Sequence, residues 1–200
     1  NPLNVALGHA DLIDSEHAEA LTRSLERMET IVEDALVLGT QDTVEETREV
    51  RLDRSANRAW KHVETGDADL AIADSTAFDA DPDLLAHVFE NLFRNAVEHG
   101  SQTVVVGACE SGFYVEDDGP GIPSADREAV FDASYSTSDD GTGLGLAIVE
   151  QVVDAHDWAI GVTESASDAA VGDARRVTPD GGPETPESPP NRGARFEVSF

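Results

Sequence analysis

Residues Pro82 to Pro123 read PDLLAHVFENLFRNAVEHGSQTVVVGACESGFYVEDDGPGIP. Leu84, Leu85, Val88, Phe89, Leu92, Phe93, Ala96 and Val97 recur at helical spacing. They predict one helix with a broad apolar face. Pro82 suits its first turn and Gly100 ends it. Thr103 to Cys109 and Phe113 to Glu116 then read as strands, joined by the turn Glu110-Ser111-Gly112. A long amphipathic helix running into an apolar hairpin points to a mixed α/β domain.

The pattern extends both ways. Leu52 to Val63 reads as a helix, and Asp69 to Ala73 and Thr76 to Asp79 as short strands. Leu144 to His156 is a further helix, with Leu146, Ile148, Val149, Val152 and Val153 on its core face. Trp158 to Thr163 and Arg195 to Phe200 close the chain as paired strands. Between them, residues 165–193 are rich in Pro, Gly, Asp and Ser, and a disordered loop is expected there. The first forty residues read as two helices. Leu3, Ala6, Leu7, Ala10 and Ile13 share one face of the first. Leu21, Leu25, Met28, Val32 and Ala35 form an a/d seam on the second, which Gly39 should stop. Thr40 to Val50 is a polar linker. The expected division is a helical hairpin over 1–40 that pairs with a second copy, and an α/β domain over 41–200. The fold class is an α/β (α+β) sandwich, a mixed sheet of about five strands with helices on one face, preceded by that hairpin.

The formal charge is −28, from 41 acidic and 13 basic side chains. Only Lys61 is a lysine; the other basic residues are arginine. Such a surface repels phosphate backbones, which argues against direct nucleic-acid binding. Apolar residues make up 40% of the chain in periodic runs, which argues against general disorder. An acidic, lysine-poor surface over an ordinary core resembles proteins of salt-accumulating microbes. Cys109 stands alone and reads as a small buried hydrophobe. No apolar run reaches the ~18 residues of a membrane span, and no signal peptide is visible. A cytoplasmic location without membrane contact is expected. The chain opens abruptly on Asn1-Pro2-Leu3 and reads as part of a longer protein, so an upstream membrane segment stays open.

Three stretches carry chemistry. Asn91 and Asn95 lie one turn apart on a single helix face, and amide oxygens are neutral hard donors suited to Mg²⁺. A plain pair of helix-surface amides is the alternative. Asp117-Asp118-Gly119-Pro120-Gly121 follows a strand directly. A carboxylate there can accept a hydrogen bond from an exocyclic amine, while the glycines let backbone approach a purine ring. An acidic turn is the alternative. Gly141-Thr142-Gly143-Leu144-Gly145-Leu146 precedes a helix, where bare N–H groups and the helix dipole attract phosphate. It lacks both the leading strand of the dinucleotide fingerprint and the Lys of the P-loop.

Taken in order, these stretches resemble the ATP-binding domain shared by histidine kinases, DNA gyrase, heat-shock chaperones and mismatch-repair ATPases, and most of all the sensor histidine kinases. Asn91 to His99 is similar to their N box, and Asp117-x-Gly119-x-Gly121 to the first glycine box. Phe131-Asp132-Ala133-Ser134-Tyr135-Ser136-Thr137 is similar to the F box, and Gly141 to Leu146 to the second glycine box. The resemblance implies ATP and Mg²⁺ as ligands. Asn95 would hold the metal, with Asn91 beside it near the phosphates. Asp117 would bind the adenine amine and His99 would stack near the ring. Gly119, Gly121, Ile122 and Leu144 complete the implied ATP-binding set with Gly141, Thr142, Gly143 and Gly145, which would shape the hinge of a lid over residues 122–140. Three departures stand out. Ala133-Ser134 replaces a usual Pro-Phe, Glu98 replaces a frequent Lys, and Ser136 stands where a basic residue is often found.

Asn1-Pro2-Leu3 resembles the end of the kinase H box, which places the phosphate-accepting His a few residues upstream of residue 1. The implied function is ATP-dependent phosphorylation of that histidine for relay to the receiver domain of a response regulator, by a homodimer joined through the hairpin. One alternative is a nucleotide-binding regulatory module, a degenerate kinase. The other is an ATP hydrolase of the same fold. Hydrolase relatives place a Glu one helical turn before the metal-binding Asn, and Asn91 there is no general base.

Overall fold

A computed structural model describes residues 46–133, 135, 143–165 and 193–200, together with 21, 22, 25, 28, 31, 32, 39 and 44. Strand β1 (Arg48–Arg51) leads into helix α1 (Leu52–Trp60). Strands β2 (Asp69–Ile72) and β3 (Ala77–Ala80) precede helix α2 (Pro82–Glu98). Strands β4 (Thr103–Cys109) and β5 (Gly112–Asp117) form the central hairpin. A 3₁₀ turn (Ala129–Phe131), helix α3 (Gly145–Ala155) and strands β6 (Ala159–Glu164) and β7 (Ala194–Ser199) follow.

The main sheet runs β2-β4-β5-β7-β6. β2 lies parallel to β4 and every other neighbour is antiparallel, which makes the sheet mixed as expected. β6 and β7 pair across the predicted loop, and Ser165 N–H donates to Gly193 O at 2.8 Å. The residues between those two lie outside the described set.

Two features depart from the sequence reading. Arg48–Arg51, assigned to the polar linker except for its last residue, is a strand. It pairs antiparallel with β3, Val50 opposite Phe78, in a two-stranded ribbon apart from the main sheet. Gly39, expected to stop the second helix, is itself helical. Glycine inside a helix costs roughly 1 kcal/mol against alanine, which weakens a helix without ending it. The first predicted helix and His9 lie outside the described residues. On the second, Leu21, Met28, Ile31 and Val32 are exposed.

Helix α2 is the centre of the core. Asp81 caps it, its carboxylate accepting from the N–H groups of Asp83 and Leu84 at 3.0 and 3.2 Å. Such a cap stabilises a helix by about 1 kcal/mol. His156 steadies the same end: its Nε2 accepts from Asp81 N–H at 3.0 Å, and its ring stacks on Trp158. Leu85, Phe89, Leu92 and Phe93 are fully buried on the core face. Phe89 meets Phe113 of β5 at 5.4 Å between ring centres, and Trp60 of α1 meets Phe93 edge-on at 5.1 Å.

Strand alternation then decides which side chains reach the helices. In β5, Phe113 and Val115 point to the buried face and Asp117 follows the same period. Tyr114 and Glu116 point the other way. There Arg195 of β7 lies 3.6 Å over the Tyr114 ring and bonds Glu116 at 3.0 Å. Asp117 is therefore delivered to the helix side at the strand's end.

Candidate functional site

The two asparagines of α2 stand on the face turned toward α3. Asn91 is buried; its Nδ2 donates to His87 O at 2.9 Å and its Oδ1 accepts from Arg94 Nη1 at 3.4 Å. Asn95 differs: its Nδ2 is buried and has no hydrogen-bond partner among the described residues. Gly145, the first residue of α3, lies directly opposite. A Cβ there would sit 2.9 Å from Asn91 Oδ1 and 3.8 Å from Asn95 Oδ1, so glycine lets the start of α3 approach the asparagine pair closely. The side chain of Leu144 does not cap α3, so the first turn of that helix can offer its N–H groups to an anionic ligand. Gly143 has φ +67, a conformation that suits glycine. Gly145 of the second glycine box thus meets Asn91 and Asn95 of the N box. Gly141 and Thr142 lie outside the described residues.

The orphaned Asn95 amide and the close approach of Gly145 give a direct test of fit for an added ligand. A buried amide donor without a partner is costly in a finished core. The Oδ1 of the same side chain faces Gly145, where a Cβ would stand 3.8 Å from it. The residues present fit a phosphate group with a hard divalent cation, whose preferred donors are oxygens such as an asparagine Oδ1.

Asp117 forms the second half of the site. Its Oδ1 accepts from Gly119 N–H at 2.8 Å, Ser101 Oγ–H at 3.1 Å and Ala194 N–H at 3.4 Å. Burial pushes its carboxyl above the usual range, while the Gly119 and Ser101 bonds pull the other way. The adjacent Asp118 faces elsewhere and accepts from Gln102 and Thr103 N–H at 2.7 and 3.0 Å, tying down the start of β4. Gly119 lies so close that a Cβ would come within 2.6 Å of Ser101 Oγ and 2.9 Å of Asp117 Oδ1. Gly121 has φ +73.

Both halves hang from the end of α2. His99 caps the helix C-terminus and is exposed. Ser101 N–H then turns back to Ala96 O at 3.0 Å, the residue after Asn95. Ile122 packs partly buried against the core, and its carbonyl accepts from Arg127 Nε at 3.1 Å. Arg127 also reaches Glu164 at 3.4 Å, so this lone basic residue of the predicted lid ties the lid's base to β6. Val130 and Phe131 are buried at the start of the F box, Phe131 meeting Phe196 edge-on, while Asp132 and Ala133 after them are exposed. Sequence reasoning did not identify Ser101, nor Ser165, whose buried Oγ has no partner among the described residues, nor Gly193, where a Cβ would overlap Asp117's carbonyl oxygen. No local pattern marks Ser101 or Gly193, because each meets Asp117 from a distant part of the sequence.

Residues 80–200 match the family described as Histidine kinase-, DNA gyrase B-, and HSP90-like ATPase. The chain belongs to this family. Among curated proteins, the sensor histidine kinase ZraS of Salmonella typhi is 33% identical over 169 residues, 81% of this chain and 33% of that protein. The chain therefore spans about a third of the length of this relative. Among solved structures, full-length ShkA in complex with AMPPNP aligns with a TM-score of 0.67 and 25% identity, over 99% of this chain and 42% of that one. The mycobacterial sensor histidine kinase MprB aligns with a TM-score of 0.55 over 77% of this chain and 97% of that one. At 23% identity, that last likeness speaks for the fold. The ATPase-family fold accounts for the mixed sheet, with its helices packed side by side.

Proposed function

We propose that this chain is the ATP-binding catalytic part of a sensor histidine kinase, with a helical hairpin over 1–40 and the catalytic domain over 41–200. It would transfer the γ-phosphoryl group of ATP to a histidine preceding residue 1, for relay to an aspartate of a response regulator. The observation that carries this reading is the meeting of Asn91 and Asn95 with Gly145 in a chain whose Asp117 carboxylate has its Oδ1 held by Gly119, Ser101 and Ala194. That arrangement offers a phosphate-binding pair on α2 and an amine-reading carboxylate at the end of β5. The AMPPNP complex of ShkA supports the same ligand class, and the ZraS likeness supports the kinase branch of the family.

In this reading Asp117 receives the adenine amine, His99 lies beside the ring, and Gly119, Gly121 and Ile122 shape the backbone around it. Asn91, Asn95 and the N-terminus of α3, with Gly141, Thr142, Gly143, Leu144 and Gly145, receive the phosphates. Asn95 holds Mg²⁺, which neutralises phosphate charge when bound. Asn91 stands where a hydrolase would need a base, and its amide cannot activate water at neutral pH. The exposed apolar row of Leu21, Met28, Ile31 and Val32 suits pairing with a second copy through the hairpin. A cytoplasmic location belongs to the same proposal; among the described residues no helix is long and apolar enough to cross a membrane.

The experiment is labelling. The protein extended through its natural upstream residues should incorporate radioactive phosphate from Mg·ATP as an acid-labile, base-stable phosphohistidine. Asn95→Ala should abolish that label. Phosphate released to solvent without labelled protein would favour the hydrolase, and nucleotide binding without either would favour the regulatory module.

Salt adaptation is a separate proposal resting on the charge of −28. Self-repulsion is screened over roughly 10 Å at 0.1 M salt and 3 Å at 1 M. The melting temperature should rise between these concentrations of KCl, and a flat or falling trend would remove the salt-adapted reading.

A further inference from the structure

Asp117 presents its two carboxylate oxygens unequally. All three of its protein donors converge on Oδ1: the N–H groups of Gly119 and Ala194 and the hydroxyl of Ser101. No bond from a described residue falls on Oδ2. Two of the donors are backbone, fixed by the turn after β5 and by the start of β7. Ser101 is the one side-chain donor, and it comes from the end of α2, 16 residues away in sequence.

Resting on the adenine reading of this site, we propose that Ser101 is the positioning residue for base recognition: its hydroxyl ties down Oδ1 of Asp117 and leaves Oδ2 to receive the purine's exocyclic amine. Three facts make the hydroxyl more than a bystander. Ser101 is only 6% exposed, so water does not readily replace it. Its backbone is fixed by the 3.0 Å bond to Ala96 O. The close approach of Gly119 confines Oγ, since even a methyl at 119 would lie 2.6 Å from it. Without that bond the carboxylate loses one of the two hydrogen bonds that most oppose its burial. It also becomes free to rotate about its Cβ–Cγ bond, and the amine then meets a less ionised and less oriented acceptor.

The test compares ATP with purine riboside triphosphate, which lacks the 6-amino group, by titration calorimetry in Mg²⁺. Ser101→Ala should weaken ATP about tenfold and leave the amine-free analogue within about twofold, because that analogue makes no bond to Asp117. A merely structural role would weaken both equally. Equal losses for the two ligands, or no loss for ATP, overturns the proposal. Asp117→Asn, run in parallel, separates this from the underlying reading. If Asp117→Asn removes the preference for ATP over the analogue while Ser101→Ala does not, only the Ser101 inference fails. If Asp117→Asn leaves the preference intact, the adenine assignment itself fails and takes this inference with it.

Discussion

Asp117→Asn is expected to weaken ATP binding by more than about 1.5 kcal/mol, at least tenfold, because a charge-assisted bond in a partly buried site is lost and an amide donor faces the amine in its place. The same substitution should leave the melting temperature unchanged or raise it. Burial lifts the carboxyl of Asp117 above its ordinary 3.8, so the folded chain holds that proton more tightly than the unfolded chain does. The stability this contributes is full below 3.8 and is lost as pH rises through the elevated folded value. At neutral pH the ionised carboxylate therefore works against the fold. It is retained for what it binds, and asparagine removes the charge while keeping an oxygen for Gly119 and Ser101. The pH profile follows with the same sign. ATP affinity of the unaltered protein should fall with acidification beginning above pH 3.8, and the asparagine variant should be flat over that range. Calorimetry across pH, paired with thermal melts, checks both halves. An Asp117→Asn protein that binds ATP normally would contradict the role of the carboxylate.

Gly193→Ala should do the most damage to the fold. A Cβ at 193 would overlap the carbonyl oxygen of Asp117 and lie 3.0 Å from its Oδ1. Both neighbours are held: Asp117 ends β5 opposite Val104, and Gly193 O accepts from Ser165 N–H. With no flexible side chain to yield, β7 must shift away from β5. The expected loss is about 2–3 kcal/mol, or roughly 5–10 °C in melting temperature for a protein of this size, with nucleotide binding lost alongside because Ala194 N–H leaves Asp117. Gly161→Ala is the control. It lies in β6 with nothing within 4 Å of the added methyl, and its effect should stay within about 0.5 kcal/mol.

What could be read from the sequence was what repeats or clusters locally. Helix α2 announced itself through Leu84 to Val97, and the Asn91–Asn95 pair could be placed on one face from spacing alone. β5 and the acidic turn after it were legible because an apolar run met Asp-Asp-Gly-Pro-Gly. β1 was not. Arg48-Glu49-Val50-Arg51 contains one apolar residue, and it becomes a strand only because β3, later in the chain, offers Phe78 opposite Val50. The site's supporting shell escaped for a related reason. Ser101 meets Asp117 across 16 residues and Ala194 meets it across 77. The β4–β5 hairpin and the β5–β7 pairing create these contacts, and no motif encodes them. Asp117 and Asp118 show the same limit at closest range. As sequence they are equivalent neighbours, yet alternation along β5 turns one toward the helices and leaves the other to secure the start of β4.

Adenine recognition at Asp117 is tested most directly by a single calorimetric comparison of ATP with GTP, in Mg²⁺, on the unaltered chain. Guanine carries a carbonyl acceptor where adenine carries its amine donor, and two acceptors facing each other at Asp117 Oδ2 repel. The expected result is one ATP site per chain, with GTP bound at least about tenfold more weakly. Equal affinity for the two nucleotides, or binding of neither, would contradict it.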